Sequence, residues 1–159
     1  MRIYLPATPA DLPRIETSGA GVVVALESRR AHAVTAALRA ALPDEDDEGL
    51  EYSAHLAAGD DSLSLLAEDD AVPRQRLVLT LEVPDDAVVE VAASEAVLAP
   101  SAVQLAAGSA SVHCLHVDEP DAVADVTGAL AGDDAALERL VERDLLWYDA
   151  LEVADVPIA

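Results

Sequence analysis

The sequence predicts an alpha+beta domain, a mixed or mainly antiparallel sheet with helices packed against it. Leu77, Leu79, Leu81 and Val83 face one way while Thr80 and Glu82 face the other, the period of a strand. Tyr52, Leu56, Gly59, Leu63 and Leu66 recur three and four residues apart, the period of a helix. Strand and helix signals are interspersed, without the regular beta-alpha-beta alternation of a doubly wound fold. A ferredoxin-like sandwich is one version of this architecture. The 159 residues are expected to form one domain, residues 1–159, with a core that needs neither disulfide nor metal.

Taken in order, Ile3 and Leu5 alternate with Arg2 and Tyr4, predicting a first strand that ends at Pro6. Thr8 caps a helix start with Pro9 in first position and Asp11 near the positive end, and Pro13 keeps that helix short. Gly19 to Gly21 reads as a turn, Val22 to Leu26 as a buried strand, and His32 to Val34 as a second short one. Thr35 caps a helix through Leu38 and Leu42 that Pro43 stops. The acidic run Asp44 to Glu48 leads into the long helix of the Tyr52 stripe, where negative charge suits the N-terminus. Leu50 and Leu65 fall off that stripe, so the helix is expected to pack on two sides.

Arg76 to Val83 is the clearest strand, and after the turn Pro84-Asp85-Asp86 the segment Val88 to Val91 is expected to return as its hairpin partner. Ala92 to Gly108, mostly Ala, Ser and Pro, reads as loop or as a short strand around Val103 and Leu105. Val112 to Val117 forms another strand, and Pro120 opens a helix carrying Val123, Val126 and Leu130 that Gly132 ends. Asp133 and Asp134 start a last helix with Leu137, Leu140 and Val141 on one face. Leu145 to Glu152 fits a final strand better than a continued helix, which would place Asp144 on the apolar stripe.

The net charge of −22 sits on a chain that is 52% hydrophobic, so the acid belongs to the surface of a folded domain and not to a disordered tail. Such a surface repels phosphate and anionic lipid, which makes nucleic acid and membrane unexpected partners; a basic protein surface is the partner it fits. Solubility alone also accounts for it. The basic residues are all Arg and there is no Phe, Lys or Asn, the mark of a high-GC coding bias. With Cys114 as the single cysteine no intrachain disulfide forms, which fits a cytoplasmic protein. The start of the chain lacks the apolar region of a signal peptide, and Glu95, Pro100, Gln104 and Gly108 interrupt its least charged stretch. No signal speaks to the oligomeric state.

Few groupings carry chemistry. Asp44, Asp46, Glu48 and Gly49 imitate the opening of a calcium loop, but its twelfth position is His55 where a bidentate Glu is required. On a strand, Cys114, His116 and Asp118 share one face, with His113 beside them, yet no C-x-x-C or H-x-x-x-H pair supports a metal. Asp118 also suits a helix cap. Gly19-Ala20-Gly21 precedes a strand where a dinucleotide loop must follow one, and Ser109 and Ser111 have no assigned base. No catalytic residue, metal ligand or cofactor is assigned. The pocket or interface candidates are Glu51, Tyr52, His116, Trp147 and Tyr148, because aromatic residues are scarce here and serve either as anchors or as core plugs.

The segments Met1-Arg-Ile-Tyr-Leu-Pro, Ala31-His-Ala-Val-Thr-Ala-Ala-Leu-Arg, Leu50-Glu-Tyr-Ser-Ala and Asp144-Leu-Leu-Trp-Tyr-Asp-Ala-Leu-Glu resemble a family of short acidic actinobacterial proteins of unknown function. The resemblance spans nearly the whole chain and implies a high-GC cytoplasmic origin, but it assigns no chemistry to any residue.

Two readings of function follow. The first is a non-enzymatic interaction or regulatory domain, motivated by the acidic surface. The second is a small-molecule-binding or enzymatic domain whose pocket uses Arg2, Arg39 or Arg76 with Tyr52, Trp147 or His116; it requires those side chains to meet around one concavity. DNA mimicry, a third, requires carboxylates along one exposed ridge.

Overall fold

Arg2–Ala7 (β1) lies beside the strand most legible in the sequence, Leu77–Glu82 (β5), with Ile3 opposite Leu81 and Leu5 opposite Leu79. Around this pair the computed structural model, which describes residues 1–19 and 21–159, builds a nine-stranded sheet. The other strands are Ile15–Ser18 (β2), Gly21–Leu26 (β3), Arg29–His32 (β4), Val88–Glu90 (β6), Ala102–Leu105 (β7), Gly108–Val117 (β8) and Leu146–Asp149 (β9). The order is β2-β3-β8-β5-β1-β4-β7-β6, and every pairing among the described residues is antiparallel. One long edge of β8 serves two strands in turn, β3 along Gly108 to Ser111 and β9 along Cys114 to Val117. The helices are Ala36–Ala41 (α1), Asp47–Glu68 (α2), Ala93–Leu98 (α3), Val123–Leu130 (α4) and Asp134–Val141 (α5). The alpha+beta class is therefore as the sequence predicts, with a sheet much larger than a ferredoxin-like sandwich provides. No described helix is long and apolar enough to cross a membrane.

Alternation gives the two faces of the sheet different fates. Ile3, Leu5, Leu77, Leu79, Leu81, Leu115 and Val117 point to one side and join Val24, Val103, Leu105 and Ala150 in a single buried cluster. Among the described residues no α-helix contributes to that cluster; strands from both ends of the sheet and the 3-10 turns at Pro9–Arg14 and Ala150–Asp155 cover it. The opposite face carries Tyr4 and Val78, over which α1 and α2 pack through Leu38, Leu50, Ala54 and Ala58.

The contact of α2 with the sheet corrects the predicted stripe. The residues it buries are Leu50, Ala54, Ala58, Ser62 and Leu66, four apart, with Gly59 beside them, whereas Tyr52 and Leu56 are 55% and 48% exposed. Small residues let the helix lie close to the strands, and the periodic large residues fall to one side. Ser62 fixes the approach: its hydroxyl donates to the carbonyl of Ala7 at 2.7 Å and accepts from the amide of Leu77 at 3.0 Å. Next to that end of α2, where Leu66 meets Val126 and Leu140, α4 and α5 pack equally close, since a Cβ on Gly128 would lie 2.7 Å from that of Ala136.

Other expectations shift as well. Val88–Glu90 pairs with β7 and not with β5, because the 3-10 turn Asp85–Ala87 carries the chain away from its predicted partner. The short strand expected at His32 to Val34 lies earlier, at Arg29–His32. Helix α3 forms within the stretch read as loop or strand, and β7 is the strand suggested there by Val103 and Leu105. On α5, Leu140 is buried, but Leu137 and Val141 are 41% and 68% exposed. Leu145 to Glu152 divides into β9 and a 3-10 turn, and both Pro-led starts, after β1 and after β8, form 3-10 turns. The turn expected at Gly19 to Gly21 includes residue 20, which lies outside the described residues.

One buried ion pair ties these parts together. Asp118 is fully buried and accepts from the Arg76 backbone amide at 2.7 Å, from Nε at 3.0 Å and from Nη2 at 2.8 Å. Removing one charge from such a pair leaves the other buried and unmatched. Asp118→Asn is expected to destabilise the fold by about 3–5 kcal/mol in urea denaturation, whereas Asp47→Asn, which breaks the exposed pair with Arg39, shifts it by about 0.5 kcal/mol or less.

Candidate functional site

The register of the sheet places polar side chains in rows beside α2. Tyr4 is opposite Thr80, Thr80 opposite Cys114, and one step along the strands Val78 is opposite His116 and His116 opposite Trp147. Because side chains two residues apart share a face, Val78 and Thr80 of β5 stand on this side with Arg76 just before that strand, as do Cys114 and His116 of β8 with Asp118 just after it. Helix α2 lies over β1, β4 and β5. Over β8 and β9 the face stays open, and the result is a cleft of about 1010 Å³.

Three structural units line it. The floor is Tyr4, Thr80, Cys114, His116 and Arg76. One wall is the side of α2 bearing Glu48, Glu51, Tyr52, His55, Leu56, Gly59 and Asp60, so the first part of the predicted apolar stripe borders the cleft while Leu63 and Leu66 pack with Val126 and Leu140. The other wall is the segment from the end of α5 into β9, with Val141, Arg143, Asp144, Leu145 and Trp147. A register irregularity opposite Thr80 and Leu81 leaves His113 without a partner on β5, and His113 also borders the cleft.

Polar groups on the floor and first wall divide into satisfied and unsatisfied. Glu51 accepts from the Tyr4 hydroxyl at 3.1 Å and from Arg2 at 3.0 Å. Burial, with the neighbouring Glu51 carboxylate, raises the Tyr4 pKa above its ordinary value, so the phenol stays neutral. Arg76 gives Nε and Nη2 to Asp118 and to the carbonyls of Leu140 and Arg143. By contrast Thr80 Oγ1, His55 Nε2 and His116 Nδ1 are buried atoms with no hydrogen-bond partner among the described residues. The only other such atom, Arg30 Nε, lies 2.9 Å from an Asp61 carboxylate oxygen. The orphans thus concentrate in one place.

The histidines form an edge-to-face stack, with ring centroids 5.9 Å apart for Tyr4 and His55 and 4.4 Å for His55 and His116. Burial lowers the pKa of both imidazoles; the charge of Arg76 adds to this at His55, and His55 adds to it at His116, which falls to about 4. Both rings are neutral at pH 7, and each then offers a lone pair on one nitrogen.

Of the candidates named from sequence, Glu51, Tyr52, His116 and Trp147 meet at this cleft, together with Arg2 and Arg76. Tyr148 points to the opposite face and packs against the main core, as strand alternation requires once Trp147 faces the cleft. Arg39 lies elsewhere, paired with Asp47 at 2.7 Å. The metal-like set on β8 is divided, with Cys114 and His116 on the floor and Asp118 committed to Arg76, and no group of three or more His, Cys, Asp or Glu among the described residues is arranged to hold a metal ion. In the calcium-like run Asp46 caps α2, accepting from the Gly49 amide at 2.9 Å.

Sequence reading missed Tyr4, His55, Thr80 and Arg143. Thr80 carried the one available signal, a hydroxyl within an otherwise apolar strand. Reading also missed a buried serine and histidine in contact with a half-buried aspartate. His32 Nδ1 is 2.9 Å from Ser101 Oγ and Nε2 is 3.0 Å from Asp61 Oδ2, and the hydrogen bond to His32 holds the Asp61 carboxyl below its ordinary pKa. Ser101 is only 3% exposed and lines neither the main cleft nor the smaller hollow beside Asp61. The trio is a structural tie from β4 to α2 and to the residue before β7, with its serine and histidine closed to substrate.

The sign of the histidine effect on stability follows from linkage. A histidine whose folded pKa is depressed binds fewer protons folded than unfolded, so its contribution is whole above pH 6.5 and is lost as pH falls towards 4. His116→Gln is expected to flatten the pH dependence of stability between pH 6.5 and 5, with wild type losing roughly 1–2 kcal/mol more than the variant over that interval in parallel urea titrations.

Neither curated proteins nor solved structures contain a significant match to this sequence. A family model matches residues 1–156, and with it the chain, cleft included, belongs to a family of unknown function (DUF6912).

Proposed function

We propose that this domain is a binding module that holds a small polar ligand in the cleft between α2 and the α5–β9 segment, a sensing or regulatory role and not a catalytic one. The observation that carries the reading is that Thr80, His55 and His116, each with a buried side-chain atom lacking a hydrogen-bond partner among the described residues, all line one concavity. Each buried orphan costs about 1–3 kcal/mol, and proteins retain such groups where something else completes them. The lining supports it further: aromatic and aliphatic walls around a few convergent polar groups are the general make-up of ligand sites. Of the residues that a pocket was expected to use, Arg2, Arg76, Tyr52 and Trp147 line the same cleft. Catalysis has less support, since the one serine-histidine contact is sealed from solvent. DNA mimicry also has little, because exposed acids are spread over α2, the turn at Asp85 and Asp86, α5 and the C-terminal segment. The setting we propose is the cytoplasm of a high-GC actinobacterium, supported by the arginine-only basic composition and the unpaired buried Cys114.

Trp147 is the only tryptophan, and it stands on the cleft wall, so its fluorescence reports on this site alone. In a titration with a panel of amines, amino acids, nucleosides and carboxylates, at least one compound is expected to shift Trp147 emission in wild type. Thr80→Val removes the orphan hydroxyl at nearly constant volume; it is expected to raise stability by about 1 kcal/mol, a Tm increase of about 2–4 °C, while weakening that compound about tenfold. A panel that leaves Trp147 silent, or a Thr80→Val protein that binds as tightly as wild type, would remove the reading.

A further inference from the structure

Every arginine that lines the cleft is already matched by carboxylate. Arg2 meets Glu51 at 3.0 Å and Glu82 at 3.4 Å, Arg76 meets Asp118, and Arg143 meets Asp125 at 2.9 Å and also Glu119. Glu48, Asp60 and Asp144 line the same cleft and make no ion pair among the described residues. The unneutralised charge of the site is therefore negative, and no arginine is left over for a phosphate or carboxylate group.

The acids are also placed apart. Glu48 and Asp60 sit on α2 twelve positions apart, about 18 Å along a helix axis. Between them the wall shows Tyr52 and Leu56, and across the cleft stand Val141 and Trp147, with Tyr52 and Trp147 55% and 57% exposed. Aromatic faces with carboxylates beyond them suit a positive charge carried on an apolar stem. Desolvation raises the pKa of Asp60, a cost that a bound cation would offset. The floor agrees in kind, because neutral imidazoles and a threonine hydroxyl accept hydrogen bonds, and an ammonium or guanidinium has only donors to give.

Resting on the binding role proposed above, we infer that the cleft takes an organic cation, an ammonium or guanidinium group on an apolar chain, with its charge against Asp60 or Glu48, its stem between Tyr52 and Trp147, and its donors on Thr80, His55 and His116. The group arrives either as a free amine or as a lysine or arginine side chain of a partner. The shared chemistry is the same, and the two sources separate by size.

Trp147 emission, followed at 0.15 M salt, tests this with 1,4-diaminobutane, agmatine and an acetylated pentapeptide containing one Lys and one Arg, against 1,4-butanediol and inorganic phosphate as the uncharged and anionic counterparts. At least one cationic probe is expected to bind wild type, to bind Glu90→Gln/Glu138→Gln within about twofold, and to bind Glu48→Gln/Asp60→Asn about tenfold more weakly. Both double variants remove two exposed charges, one pair outside the cleft and one pair in it, so they separate the site from the field of the whole acidic surface. Binding by the diamine or agmatine marks a free amine, and binding by the peptide alone marks a partner's side chain. Equal weakening in the two double variants, or butanediol or phosphate binding as tightly as the cations, would overturn the cationic class. A neutral member of the wider panel that binds where no cation does overturns the class and leaves the cleft in place. If no compound of any kind moves Trp147, the binding role itself fails.

Discussion

The contact between Arg76 and Asp118 sets the geometry on which the rest depends. Asp118 follows the last residue of β8 and Arg76 precedes the first of β5, so the pair closes the end of the two central strands, reinforced by the Asp118 amide donating to the Arg76 carbonyl at 3.0 Å. Arg76 then reaches the carbonyls of Leu140 and Arg143, holding the end of α5 and hence one wall of the cleft. Its neighbour Gln75, also fully buried, donates to the carbonyls of Asp118 and Pro157 and accepts from the Ala159 amide, fastening the C-terminal segment to the same corner. A buried ion pair adds little net stability over an apolar substitute, but it admits few alternative arrangements. Here it specifies where a helix end and two strands meet.

The cleft is the counterpart of that rigidity. Helix α2 is long enough to cover more of the sheet, yet it is drawn against β1 and β5 by small residues and by Ser62, which leaves β8 and β9 bare on that face. Gly59, facing the cleft, contributes by absence, since a Cβ there would meet nothing within 4 Å. Such room beside a helix, lined by groups left without partners, is a sacrifice of packing at one place in a fold that is otherwise close to fully satisfied.

How far these features were legible in the sequence depends on the range of the interactions behind them. The strands β1, β3, β5 and β8, the cap at Thr35 and the start of α2 were readable, because alternation and capping are local. The partner of Val88–Glu90 was not, since pairing with β7 is decided by a turn and by sheet order. Periodicity found the stripe of Tyr52, Leu56, Gly59, Leu63 and Leu66 but not its division into cleft wall and core, because a wall and a core obey the same spacing and differ only in what lies opposite. For the site, Glu51, Tyr52, His116 and Trp147 stood out through scarcity and chemistry, while Tyr4 and Thr80 became visible only when strand register set them side by side. The pairing of His55 with His116 joins a helix to a strand 61 positions later, and no local pattern encodes it.

The placement of β8 also has a consequence for how the chain is made. It joins β3, β5 and β9, so the two halves of the sheet, one built from β2 and β3 and the other from β5, β1, β4, β7 and β6, meet only across residues 108–117. During synthesis those halves emerge first, each with an open strand edge towards the missing middle, and neither can complete its hydrogen bonding until roughly the last third of the chain is available. Folding must therefore wait until most of the polypeptide has left the ribosome, as expected of a topology dominated by distant pairings. The dense acidic charge that contributes little to the folded sheet would in that interval keep one nascent chain from joining its open edges to another.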